Sequence, residues 1–185
     1  AYARALHQRF SHATDLCAEA VRKARATAAR RGWTDGFAVA AQVREYALAT
    51  VQGRSPTECE ALRESVTSAV ASLAHAPKAV RSILEQRLAA VAAGTVNLDV
   101  AANEAALRLL CIRAELISGA PTPPEDVELR REYQMRRLVE SMGHGERVTP
   151  AALDDLALEW IAVGPVEPAV HDALLARFER CRTAR

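Results

Sequence analysis

Five histidines and four cysteines are the residues of this chain best suited to hold a metal or attack a substrate. His7, His12, His75, His144 and His171 form no HxxxH or HxH pair, and Cys17, Cys59, Cys111 and Cys181 form no CxxC. A zinc site gathers three or four such ligands, usually at short spacings, so the pattern predicts no metal. Gly143-His144-Gly145 reads as a turn. Cysteine catalysis needs a thiolate beside a base, whereas Cys111 sits within the apolar stretch LRLLCIRAEL and reads as a small core residue. No GxxxxGK[ST] offers a phosphate cradle, and no GxGxxG follows a strand. The expectation is a protein that is not an enzyme and takes no cofactor.

Two polar groups invite binding chemistry instead. Val21 to Arg31 places Arg22, Lys23, Arg25, Arg30 and Arg31 with no acid between Glu19 and Asp35. Phosphate contacts supply most non-specific nucleic-acid affinity, so a helix here would suit RNA or DNA. The five charges point several ways around a helix, however, and aromatics for base stacking are few. A solvated helix end, its arginines favoured by the C-terminal dipole, is the competing reading. The second group is Arg113 and Glu115 in an otherwise apolar helix, with Arg130, Tyr133 and Gln134 on its expected neighbour. Paired inside, these five would form a buried network that sets helix register.

The elements that must position these groups are all helical. Alanine accounts for 39 residues and aromatics for only 4% of the chain, a composition that favours close helix packing over strands. Ser55-Pro56-Thr57-Glu58 has the pattern of a capping box with proline at the first helical position. Thr122-Pro123-Pro124-Glu125 repeats it, and Thr149-Pro150 offers the cap and proline alone. Gly32, Gly53, Gly94, Gly119, Gly143 and Gly164 stand where left-handed C-terminal caps would stop helices. These marks divide the chain into about eight helices: 2–31, 35–51, 56–75, 77–93, 97–118, 123–142, 150–163 and 167–183. Leu98, Ala102, Ala105, Leu109, Ile112 and Leu116 give the fifth an apolar stripe that Leu107, Leu110, Ala114 and Ile117 widen, so that helix is expected to be central. The short connections predict antiparallel hairpins in a bundle or short α-solenoid. Residues 1–94 form the N-terminal part and 95–185 the C-terminal part, separate or continuous.

The last hairpin should close through Trp160, ending one helix at Gly164-Pro165 and packing back on Phe178 beside Arg177. Ala5-Leu6-His7-Gln8-Arg9-Phe10 and Ala173-Leu174-Leu175-Ala176-Arg177-Phe178 share AL-x-x-RF, as equivalent helices of a tandem array would.

The net charge of +1 conceals an asymmetry: residues 1–57 carry nine basic and four acidic groups, residues 95–185 eleven and fifteen. The basic end could therefore meet an anionic partner. The longest uncharged stretch, Ser65 to Pro77, is too short to span a membrane. Scattered cysteines fit a reduced, cytoplasmic setting. Two lysines against 22 arginines suggest a GC-rich bacterial genome. The start, AYARALHQRF, reads as the middle of a helix, so the chain is expected to be cut from something longer.

Leu110-Cys111-Ile112-Arg113-Ala114-Glu115, Pro121 to Asp126 and Leu129-Arg130-Arg131-Glu132-Tyr133-Gln134 are familiar together. With Trp160, Gly164-Pro165 and Arg177-Phe178 they resemble the C-terminal part of large helical-repeat bacterial proteins of an uncharacterised family, domain of unknown function 349. The resemblance covers about residues 103–181. It implies an all-helical, repetitive, cytoplasmic bacterial protein and no established activity, cofactor or catalytic residue. The expected function is a non-enzymatic scaffold or protein-interaction module, with nucleic-acid binding through 21–31 as the alternative.

Overall fold

A computed structural model describes residues 2–141 and 151–183. The described residues are all-α, with seven helices and no strand. The helices are α1 (Tyr2–Val51), α2 (Pro56–Ala71), α3 (Lys78–Ala92), α4 (Val100–Ser118), α5 (Val127–Ser141), α6 (Ala151–Ala162) and α7 (Pro168–Thr183). A single 3-10 turn, Pro124–Asp126, precedes α5.

The local signals hold where they are self-contained. Ser55 accepts from the Glu58 N–H while the Glu58 carboxylate takes the Ser55 N–H, closing the capping box at the start of α2. Gly53, Gly94 and Gly119 have φ of +67°, +67° and +75°, the left-handed conformation that ends a helix cheaply only at glycine.

One expected boundary fails, and two expected caps do not form. The stop at Gly32 is absent: α1 runs without a break through Gly32 and Gly36. These two residues lie one turn apart on one helix face, where they admit close neighbours. A Cβ on Gly32 would meet the His75 carbonyl oxygen at 2.1 Å, and one on Gly36 would meet Val80 Cγ1 at 2.7 Å. The glycines therefore let the α2–α3 connection and the start of α3 press onto α1. Thr122 caps nothing; its hydroxyl donates to Glu115, and Pro123 precedes the 3-10 turn without a side-chain cap. Gly164 is not left-handed. A Cβ there would lie 2.3 Å from Asn103 Nδ2 and 2.5 Å from the Asn97 carbonyl oxygen, so close approach is what requires the glycine. Gly143, His144, Thr149 and Pro150 lie outside the described residues.

α1 packs on the α2–α3 hairpin, α6 lies against both α3 and α4, and α4 pairs most extensively with α7. One core runs through all of them, from Phe37 and Val43 on α1 through Val80 and Leu84 to Leu107, Trp160 and Phe178. It is continuous across residues 94 and 95. α4 is central, but its buried face is Asn103, Leu107, Leu110, Cys111, Ala114 and Glu115. Of the expected stripe only Ile112 is buried, while Leu98, Ala102 and Ala105 face solvent. Leu107, Leu110 and Ala114, expected only to widen the stripe, form its buried centre, because the polar Asn103 and Glu115 belong to the same face.

Candidate functional site

Residues 10–31 of α1 stand clear of the core. From Phe10 to Arg31 nearly every residue is exposed, and burial begins in earnest at Gly32. At 1.5 Å per residue, the segment from Phe10 to Ala28 is roughly 28 Å of helix. Arg22, Lys23 and Arg25 lie on it and Arg30 and Arg31 just beyond it, all five solvated. Arg22 and Lys23 share Glu19, Lys23 Nζ at 3.6 Å, and Arg31 reaches Asp35 at 3.8 Å. Exposed i,i+3 and i,i+4 pairs of this kind contribute little to stability. Arg25 and Arg30 enter no ion pair among the described residues. Phe10 is 68% exposed, unlike its sequence counterpart Phe178, which is fully buried. The two phenylalanines that end the AL-x-x-RF segments therefore do not occupy equivalent surroundings.

The predicted polar network divides. Glu115 is buried on α4, yet its partner is Arg177 from α7, which donates to both carboxylate oxygens, Nη2 at 3.0 Å. Arg177 also donates to Asp126 in the 3-10 turn, and Arg108 joins Asp126 to Glu104. Thr122 links Glu115 to Arg130, donating to the first and accepting from the second at 2.7 Å. Arg113 points elsewhere, forming a bidentate pair with Glu159 on α6 near the surface, Nη2 at 2.9 Å. Tyr133 is half-buried and Gln134 exposed on α5, and among the described residues neither joins the network. Burial lowers the Arg177 pKa, but hydrogen bonds to Glu115 and Asp126 outweigh it and hold the guanidinium above its ordinary value. The Pro-rich connection from Ala120 to Pro124 and Arg180 bound a cleft of about 570 Å³ over this cluster.

Arg44 was invisible to sequence reasoning. It is 4% exposed, and among the described residues no carboxylate pairs with it. Its guanidinium instead donates to the carbonyls of Trp160, Val163 and Gly164, the latter two at 3.3 and 3.2 Å, and to His171 Nε2 at 2.9 Å. Those carbonyls finish α6, where a helix leaves acceptors unpaired and carries partial negative charge. Arg44 thus does the capping that Gly164 was expected to do. From the other side Asn103 Nδ2 donates to the Pro165 carbonyl at 3.0 Å. Burial, and then the charge of Arg87, pull the Arg44 guanidinium down to about 9, still protonated at neutral pH. With Arg44 donating to Nε2, the His171 proton sits on Nδ1, facing Asp172 at 3.2 Å. Burial and then Arg44 depress the imidazole pKa, so it stays neutral.

Trp160 is fully buried and stacks on Phe178, ring centroids 4.8 Å apart. Its indole N–H has no hydrogen-bond partner among the described residues. Burial pushes the Cys111 thiol up to about 12, and the thiol lies against the Leu174 carbonyl at 3.4 Å, conditions in which little thiolate forms. Among the described residues no group of His, Cys, Asp and Glu could hold a metal ion, and no helix is long and apolar enough to cross a membrane. No protein-family model, curated protein or solved structure matches the chain.

Proposed function

We propose that the protein is a non-enzymatic helical scaffold that binds another protein through the projecting half of α1, in the cytoplasm of a bacterium. The observation that carries this reading is the contrast along one helix. Residues 32–49 are largely buried in the core, whereas residues 10–28 extend past it with Phe10, Leu16 and Val21 at 68%, 57% and 49% exposure. A helix of this composition gains stability mainly by laying its apolar face on something else. The resemblance of residues 103–181 to the uncharacterised helical-repeat family adds no activity to the proposal.

Affinity capture with the whole chain from a lysate of its source organism, at about physiological salt, tests the reading. A protein that is recovered reproducibly and in near-stoichiometric amount supports it. Recovery of no protein, or turnover of a metabolite by the purified chain, overturns it.

Nucleic-acid binding is the second reading, supported by the full exposure of Arg22, Lys23, Arg25, Arg30 and Arg31 on a helix that projects from the core. It requires a gel shift that weakens steeply between about 50 and 200 mM salt, because each phosphate contact releases counterions. Replacing Arg22, Lys23 and Arg25 by Gln should then weaken binding to every sequence alike.

A further inference from the structure

The packed and projecting halves of α1 share one line. In the core half, Gly32, Gly36, Val39, Val43 and Tyr46 are buried, with Gly32 against the α2–α3 connection and Gly36 against Val80 of α3. Their spacing of three and four continues backwards through Ala28, Ala24, Val21, Cys17, Ala13 and Phe10. At 3.6 residues per turn those six fall within an arc of roughly 80°. The face that the α2–α3 hairpin covers therefore runs on, uncovered, past the 72–77 connection that seats against Gly32. The charges are ordered about it. Asp15, Glu19, Arg22, Lys23 and Arg30 lie away from it, while Arg25 borders the line and Arg31, which also reaches Asp35, ends it.

We propose that residues 10–28 dock an acidic amphipathic helix of a partner protein, which extends the packing of α2 and α3 along α1. The inference rests on the scaffold reading and names the partner's chemistry. Interface continuity requires the helix, since the same 3-4 rhythm is already filled by helices in the core half. The charge beside the line favours acidity: of the charged residues in 10–31, Arg25 and Arg31 border it and no acid does. A second copy would set this net positive segment against itself. Nucleic acid has no use for the apolar line, and Arg22 and Lys23 already share Glu19.

The test uses the whole 185-residue chain and three fluorescent probes. The first is a synthetic helix of about four heptads with Leu at the a and d positions and Glu at e and g. The second is the same peptide with Lys in place of Glu, and the third is a uridine oligonucleotide. Anisotropy should show the Glu peptide bound at least about tenfold more tightly than either alternative, the gap narrowing with added salt. Ala24→Asp, on the line, should weaken binding about tenfold or more, whereas Ala26→Asp, the same change on the opposite face, should alter it less than about twofold. Arg25→Glu with Arg31→Glu should reverse the preference between the peptides. Circular dichroism keeps these comparisons to folded variants, and the charge-reversal pair leaves the apolar line intact.

Tighter binding of the oligonucleotide overturns the inference, as does equal weakening by Ala24→Asp and Ala26→Asp. So does failure of the Glu peptide to bind at about 100 μM, or a wild-type dimer in sedimentation that Ala24→Asp dissociates. If a captured partner still binds the Ala24→Asp chain, the docking face is wrong while the scaffold reading stands. If the wild type captures no protein, the scaffold reading itself fails.

Discussion

Arg177 and Arg44 are both buried, at 7% and 4% exposure, and are held in opposite ways. Arg177 is neutralised by two carboxylates, Glu115 and Asp126, brought from α4 and the 3-10 turn. Among the described residues Arg44 has no carboxylate partner; three carbonyls at the end of α6 and a neutral imidazole receive it. A buried cation needs negative potential around it, and the end of a helix can supply that as well as an acid can. The two arrangements differ in what removal leaves behind. Without Arg177 Glu115 keeps only the Thr122 hydroxyl and Asp126 only Arg108, so buried negative charge is left short of partners. Without Arg44 only neutral acceptors lose their donors.

That difference sets the order of effects. Arg177→Met should lose about 3–5 kcal/mol of unfolding free energy in urea, the cost of orphaning buried charge. Adding Glu115→Gln and Asp126→Asn should restore part of it, and a loss below about 1 kcal/mol would show that the ion cluster does not depend on Arg177. Arg44→Met should cost less, about 1–3 kcal/mol, because the groups stranded are carbonyls. If the two losses were equal, the contrast between charge and dipole compensation would collapse.

His171 sharpens the comparison by pH. Burial and Arg44 depress its pKa, Asp172 opposes them, and Arg87 adds further positive charge to Arg44. A group depressed on folding stabilises the folded chain above its unfolded value near 6.5, and that contribution is lost as pH falls through the folded value. Between about pH 7.5 and about pH 5 the wild-type Tm should therefore fall further than that of His171→Gln. Gln keeps an acceptor for Arg44 but does not titrate, so parallel Tm profiles would show that His171 is not held neutral. The smallest effect is expected at Arg113, which sequence reasoning placed inside the network. Its pair with Glu159 is solvent-screened, and Arg113→Gln should change stability by no more than about 0.5–1 kcal/mol.

The all-α fold was legible because its signals are local. A capping box at Ser55 and Glu58 needs only four consecutive residues, and a left-handed glycine at 53, 94 or 119 needs only its own backbone. Trp160 against Phe178 was also legible, since a short connection returns one helix onto the last and large apolar side chains face inward. The polar network was half legible: Glu115 and Arg130 belong to it through Thr122, while Arg113, Tyr133 and Gln134 do not. Nothing in periodicity tells which arginine meets a buried glutamate when several lie on helices of similar composition.

The sequence by itself determined that the chain is helical, where most helices start and stop, and that its N-terminal third is basic. Those properties follow from propensity, capping and composition, which act within a few residues. Tertiary structure alone decided that α1 continues through Gly32 and that Gly164 is required for Asn103 to approach. It also decided that Arg44 caps α6 from 116 residues away along the chain, and that the basic segment stands free of the core. In each case the deciding atom belongs to a distant segment, and the same glycine or arginine serves a cap, a close contact or a counter-charge according to what packs opposite it.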